Sequence, residues 1–303
     1  MAFPVTNGYP SMTGVYASEI YSAKLRVKFY ANTFLSQISN TDYEGEIKKQ
    51  GDKVIIRTIP DITINDHAIG QDLVYETPEG SIVELLIDKG KSWSFAVDMI
   101  QQKQSDIDYV NKWSDDASMQ MKISIERSLL QGIYNDAATA NKGTTAGAIS
   151  GEIDMGSTGS PITLSKSNVL EKIVDMGSVL DEQNVPDTDR FLVLPVWVCN
   201  LLKKSDLKDA SLTGDNQSVL RNGRIGMIDN MTIYKSNLVY NPTGQEYYYI
   251  MGGHKSALTF ASQITANEMV DNPKTFGKLV RGLQVYGYKT IKSEALVTMV
   301  AQN

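Results

Sequence analysis

Between Val110 and Leu129 apolar side chains return every third or fourth position, through Trp113, Ala117, Met121 and Ile125. That spacing predicts one buried stripe on one long helix over residues 104–134. No proline interrupts the run, and Gly132 falls in its last turn. Ser105, Asp106 and Asp108 supply a cap and early negative charge, and Arg127 suits the other end of the dipole. At about 1.5 Å per residue the helix would be on the order of 45 Å long. Average globular helices have roughly three turns, so this one reads as a strut before it reads as part of a pocket.

Upstream, the pattern changes twice. Residues 1–17 are rich in Gly, Pro, Ser and Thr and predict an extended arm with no core of its own. Residues 18–40 turn helical around Ile20, Leu25, Val27, Phe29, Phe34, Leu35 and Ile38. Then comes a period of two. Residues 54–56, 61–66, 81–88 and 92–97 predict strands, with bends at 68–72 and a turn at Lys89, Gly90 and Lys91. Residues 53–98 therefore read as a long two-stranded excursion with few apolar residues at its far end. Such a ribbon is marginal alone in water and needs a partner surface.

Downstream, residues 136–161 are small and glycine-rich and read as a linker or loose loop. A second unit follows: a helix over 165–183, a continuous apolar strand at 190–195 of the kind buried on both faces, and a short helix at 196–204. Residues 205–222 read as a polar loop. Strands are predicted at 231–234 and 247–251, a turn at Gly252 and Gly253, a polar loop at 264–274, and two alternating strands within 276–302. The tyrosines 247–249 read as strand surface.

Composition narrows the function. Of 303 residues, 42 % are hydrophobic and 21 % charged, which predicts a folded protein. A net charge of −6 argues against a sequence-reading nucleic-acid protein. The lone cysteine, Cys199, rules out an internal disulfide. No apolar run reaches the roughly 18 residues of a membrane span, and the N-terminus lacks the features of a signal peptide. With two histidines, His67 and His254, far from each other and from Cys199, no metal site is expected. Asp106, Asp108 and Asn111 lack the glycine of a calcium loop. Gly252–Gly253–His254–Lys255–Ser256 resembles the end of a phosphate loop, but a histidine separates glycine from lysine and the upstream glycine is missing. No catalytic residue, cofactor or cofactor-binding residue is assigned.

The order of parts resembles the major capsid proteins of tailed bacteriophages, the Hong Kong 97-type fold. The passages that carry it are RFLVLPVWVCNLLKK (190–204), GRIGMIDNMTIYKSNLV (223–239) and EYYYIMGGHKSALTF (246–260). The resemblance implies an α+β fold with an N-terminal arm at 1–40 and an extended β-hairpin, the E-loop, with its flanks at 41–98. It implies a peripheral domain with the spine helix at 99–162, a mixed α/β axial domain at 163–262, and a return to the peripheral domain at 263–303. It also implies no enzymatic activity. Pentamers and hexamers of the chain would close into an icosahedral head around double-stranded DNA that is not read by sequence. Scaffolding, portal and decoration proteins are the further partners, with no membrane, and assembly would take place in the host bacterial cytoplasm. Contacts between copies are expected at Ile59, Ile62, Ile64, His67 and Tyr75. Two readings stand beside this one: an encapsulin-like shell around a cargo enzyme, and an α/β enzyme with an unrecognised site.

Overall fold

A computed structural model describes residues 31, 33–42, 53–57, 59–60, 62–67, 69–73, 75–80, 82–98, 109–205, 226–273 and 275–303, with no side-chain account at 263–265. The helices are α1 (Leu35–Ile38), α2 (Tyr109–Ile133), α3 (Val169–Glu182) and α4 (Val196–Lys204). The strands are β1 (Lys53–Arg57), β2 (Ile82–Leu86), β3 (Lys89–Asp98), β4 (Ile162–Thr163), β5 (Arg190–Leu194), β6 (Met227–Ile228), β7 (Met231–Lys235), β8 (Tyr247–His254), β9 (Leu258–Asp271), β10 (Gly277–Thr290) and β11 (Leu296–Gln302). The expected arm at 1–17, the start of the strut at 104 and the loop beyond Ser205 lie outside the described residues.

A six-stranded mixed sheet runs β4-β11-β8-β5-β7-β6. Its centre is β5, whose five residues are all buried, as a strand covered on both faces must be. The apolar sides of α3 (Ile173, Met176, Val179, Leu180) and α4 (Val198, Cys199, Leu202) share one core with β5, β8 and β11. The second half of α2 (Ile125, Leu129, Leu130, Ile133) joins the same core.

The second sheet, β3-β10-β9, is antiparallel throughout. It corrects several expectations. Residues 264–271 are strand rather than loop, because their backbone pairs with β10 from Asp271 opposite Lys278 onward. Lys89, Gly90 and Lys91 are not a turn but the start of β3, paired with β10 and not with the ribbon. Among the described residues the ribbon's own pairing is that of β1 with β2, from Lys53 opposite Leu86 to Arg57 opposite Ile82. The strand expected at 61–66 does not form in its described residues. Alternation of polar and apolar residues creates a strand only where a neighbour accepts the backbone bonds, and among the described residues no strand pairs with this stretch.

Glycines 252 and 253 lie inside β8 and not in a turn. A Cβ on Gly253 would collide with the Ala295 carbonyl oxygen of the adjacent chain segment, so the glycine permits close approach. Tyr249, beside them, is buried against Tyr134 and Tyr240 and is not surface. Nor is 136–161 loose. Asn141 is fully buried, and its side-chain amide donates to the carbonyls of Glu294 (2.6 Å) and Leu296 (2.9 Å). Ala146 and Met155 enter the core.

The stripe of α2 also differs from its sequence reading. Trp113 is 46 % exposed, and Ala117 and Met121 are half-buried. Past Met121 the buried positions are Ile123, Ile125, Glu126, Leu129, Leu130 and Ile133. The helix crosses two different surfaces. Its first half rests lightly on the small sheet, where the Trp113 ring meets Phe95 edge-on at 5.5 Å. Its second half enters the main core. There Tyr288 of β10 donates its hydroxyl to the Ser128 carbonyl at 3.0 Å, and its ring fills the space that a Cβ on Gly132 would need.

Candidate subunit interface

The ribbon begins at a small apolar root. Ile56, Leu85 and Ile87 pack on Ala261 of β9. The Leu86 carbonyl lies so close to Gly287 of β10 that a Cβ there would overlap it. Only glycine lets the two strands cross at that distance. Beyond the root, residues 59–60, 62–67, 69–73 and 75–80 have no strand or helix, apart from a turn at Ile69 and Gly70. Across this excursion the Thr63 backbone N–H donates to Glu76 Oε1 at 2.6 Å.

The five sequence-predicted contact residues all sit on this excursion. Ile59 is 94 % exposed, Ile64 90 %, Tyr75 88 % and Ile62 64 %, and His67 is exposed beside them. Ile69 and Leu73 are exposed on the same excursion, as are Ile55, Ile82 and Leu86 on the outer side of the paired strands. Scattered apolar residues on a surface need no explanation, but this many on one thin excursion do. Their periodicity is short and broken by polar residues, so it is their exposure in the fold that marks Ile69 and Leu73.

A second open surface lies on the β3-β10-β9 sheet. One side carries Trp93, Phe95, Val97 and Val280 and is covered by α2 through Val110 and Trp113. The opposite side presents Ser92, Ser94 and Ala96 of β3, Leu279 and Leu283 of β10, and Ala266 and Val270 of β9. Here Arg281 donates to Glu268 Oε2 through Nε (2.9 Å) and Nη2 (2.6 Å), an exposed pair. Leu283 and Val270 are exposed, and Phe276 at the hairpin tip is 85 % exposed. Both outer strands, β3 and β9, are edges of this sheet.

The groups that could have carried chemistry are placed elsewhere. Cys199 is buried among apolar side chains, and burial raises its thiol pKa, which suits packing and not attack. His254 lies next to Ser256, which donates its backbone N–H to Nδ1 at 3.1 Å, and burial lowers the imidazole's pKa. Among the described residues no cluster of three or more His, Cys, Asp or Glu is placed to hold a metal.

Residues 83–298 match the model of a family described as phage capsid protein. No curated protein matches significantly. Solved structures with the same fold include that of Mycobacterium phage Che8, at 23 % identity and a TM-score of 0.77, covering 93 % of this chain and 96 % of that one. The asymmetric unit of the bacteriophage PhiM1 mature capsid aligns at 14 % identity and a TM-score of 0.71, over 95 % of this chain and 92 % of that one. The capsid of the cyanophage P-SCSP1u aligns at 12 % identity and a TM-score of 0.72, over 94 % and 93 %. The mixed helix-and-sheet fold is thus that of tailed-phage capsid structures.

Proposed function

The chain belongs to the phage capsid protein family and is a major capsid protein of the virion head shell, and we propose that it does this work by closing into pentamers and hexamers around double-stranded DNA. The observation that carries the reading is the excursion at 59–80, where Ile59, Ile62, Ile64, Ile69, Leu73 and Tyr75 face solvent in the isolated chain. Heterologous contacts of this kind generate rings wherever the rotation between copies closes. The excursion is the E-loop of the Hong Kong 97-type fold, and Ile59, Ile62, Ile64, His67 and Tyr75 meet a neighbouring copy.

The domain division follows the same plan: arm to 40, hairpin and flanks to 98, peripheral domain with α2 to 162, axial domain to 262, then the return. Two sheets favour a division of this kind, β5, β7 and β8 in one and β3, β9 and β10 in the other, although β11 of the return segment joins the first sheet beside β8. The strand β9 crosses the 262 boundary, so the two units share an element. The open side of the second sheet, with Leu283, Val270 and Phe276, is a further surface for identical copies.

DNA needs no base-reading groups here. A chain of net charge −6 has little attraction for phosphate, which suits a container that is filled and later emptied. Scaffolding, portal and decoration proteins are the remaining partners, the role is structural and not enzymatic, and assembly takes place in the bacterial cytoplasm.

The test is negative-stain microscopy and sedimentation of the purified chain. Wild type should form closed shells, and the Ile59→Ser, Ile62→Ser, Ile64→Ser, Tyr75→Ser combination should remain as folded small oligomers or monomers. Shells from that variant would overturn the role given to these residues. A wild-type chain that stays monomeric at high concentration would overturn the assembly reading itself.

A further inference from the structure

Glu126 is a carboxyl on the apolar side of α2, flanked by Ile125, Leu129 and Leu130, and it is only 1 % exposed. Its Oε2 accepts the backbone N–H of Phe34 at 2.8 Å and of Leu35 at 3.1 Å. Its Oε1 has no hydrogen-bond partner among the described residues. Such a site suits a neutral carboxyl, with the N–H groups on the carbonyl oxygen. It suits a carboxylate poorly, since half of the charge would rest on a buried atom with no donor among the described residues.

The two donors belong to a segment over 90 positions earlier in the chain. That segment is also anchored in the main core, where Phe34 and Ile38 are buried and Leu35 packs against them. The Phe34 ring stacks on Tyr234 of β7 at 5.3 Å. Asn40 bridges β9, giving its N–H to the Leu258 carbonyl (2.8 Å) and accepting from Phe260 (2.9 Å). A cavity of about 390 Å³ opens alongside, lined by Thr33, Leu35, Ser39, Lys122, Glu126 and Gln284 among others. The contact therefore joins two parts of the chain across a space that water could enter if the segment moved.

We propose that Glu126 is a proton-operated clasp on residues 33–42: neutral, it holds the segment to α2; ionised, it favours the segment's release. Burial pushes its pKa up from 4.5 to about 7, and the bonds from Phe34 and Leu35 offset only part of that. Once released, the carboxyl would be hydrated and titrate near its ordinary 4.5. The docked form thus holds its proton more tightly. Docking is fully supported below 4.5, weakens as pH rises from there to about 7, and is constant above. Among the described residues, Lys122 of α2 is the charged side chain lining the same cavity. No charged side chain from β9 faces it over 258–262, where the residues are Leu, Thr, Phe, Ala and Ser. Tyr234, under the Phe34 ring, and Tyr286 of β10 are both raised by burial above 10.0. Neither changes charge near neutral pH.

The experiment is amide hydrogen exchange on the full chain held as unassembled subunits, so that its outcome does not depend on shell formation. Between about pH 5.5 and about pH 8.5, protection at Phe34 and Leu35, corrected for intrinsic exchange, should fall roughly 30-fold in wild type. In Glu126→Gln it should not change with pH. The same pH dependence in the Gln variant, or none in wild type, overturns the clasp. Should the Gln variant not fold, ¹³C titration of the Glu126 carboxyl in wild type decides the matter: a midpoint near 7 supports it and one near 4.5 overturns it.

Discussion

Two residues show how single side chains set the framework. Arg190 is buried, and its guanidinium ties down the chain around it: Nε donates to the Pro186 carbonyl (2.8 Å), and Nη2 reaches the Val185 carbonyl, Asp181 Oδ1 (2.7 Å) and Asp187 Oδ1 (3.1 Å). Both carboxylates are more than half exposed, so they would be rehydrated if the arginine were lost, whereas the carbonyls would be left unpaired. Arg190→Met should therefore cost about 3 kcal/mol, below the full penalty of an orphaned buried ion pair, read from urea unfolding of unassembled subunits. Gly287 acts through what it lacks. In Gly287→Ala the new methyl meets the Leu86 carbonyl. The ribbon root must shift, at about 1–3 kcal/mol, and amide exchange in β2 should rise while the main core stays protected. Neither effect is legible in the sequence. Arg190 opens the apolar strand at 190–195 with nothing nearby to show what its guanidinium holds, and Gly287 is one of several glycines in a β pattern.

At the scale of elements, α3, α4, β5, β7 and most of β10 and β11 follow the sequence pattern closely, because each buries a stripe or face of ordinary period. The helix α2 follows in existence but not in orientation. Its 25 residues at about 1.5 Å each make a rod of roughly 37 Å. A rod of that length passes from one supporting surface to another, and its buried positions change along the way. Met121 lies at that passage. Met121→Pro removes an internal N–H and clashes with the preceding turn, so it should cost at least about 3 kcal/mol and lower the melting temperature of the subunit. An unchanged melting curve would show that the two halves of α2 are independent. The β9–β10 hairpin was the larger misreading. Asn267, Glu268 and Asp271 look like loop residues, yet their backbone pairs with β10 and their side chains stand on an edge strand open to water.

For the molecule as a whole, the unusual feature is the amount of apolar surface left on thin or flat parts: Ile59, Ile64, Ile69 and Tyr75 on the excursion, Phe276 on the hairpin tip, and Leu283 on the open sheet. A chain that worked alone would bury such residues against itself. The excursion also carries Asp61, Asp66, Asp72, Glu76 and Glu79 with no lysine or arginine, which keeps it soluble before it finds a partner. Deleting residues 59–70 should leave the unfolding midpoint of the main core within about 1 kcal/mol of wild type, since Ile56, Leu85 and Ile87 still close the root. The same deletion should abolish shells in the microscope. DNA-filled particles from it would show that the excursion is dispensable.

Local order, the apolar strand at 190–194, the amphipathic helices and the succession of parts that resembles a capsid subunit were determined by the sequence alone, because each depends on neighbours within a few positions. The structure alone decided which strand joins which sheet, that β3 leaves the ribbon for β10, that Gly253 and Gly287 mark close crossings, and that Glu126 reaches Phe34 and Leu35. Those outcomes depend on contacts between residues far apart in the chain, and hydrophobic periodicity shows which side of an element is buried but not what buries it.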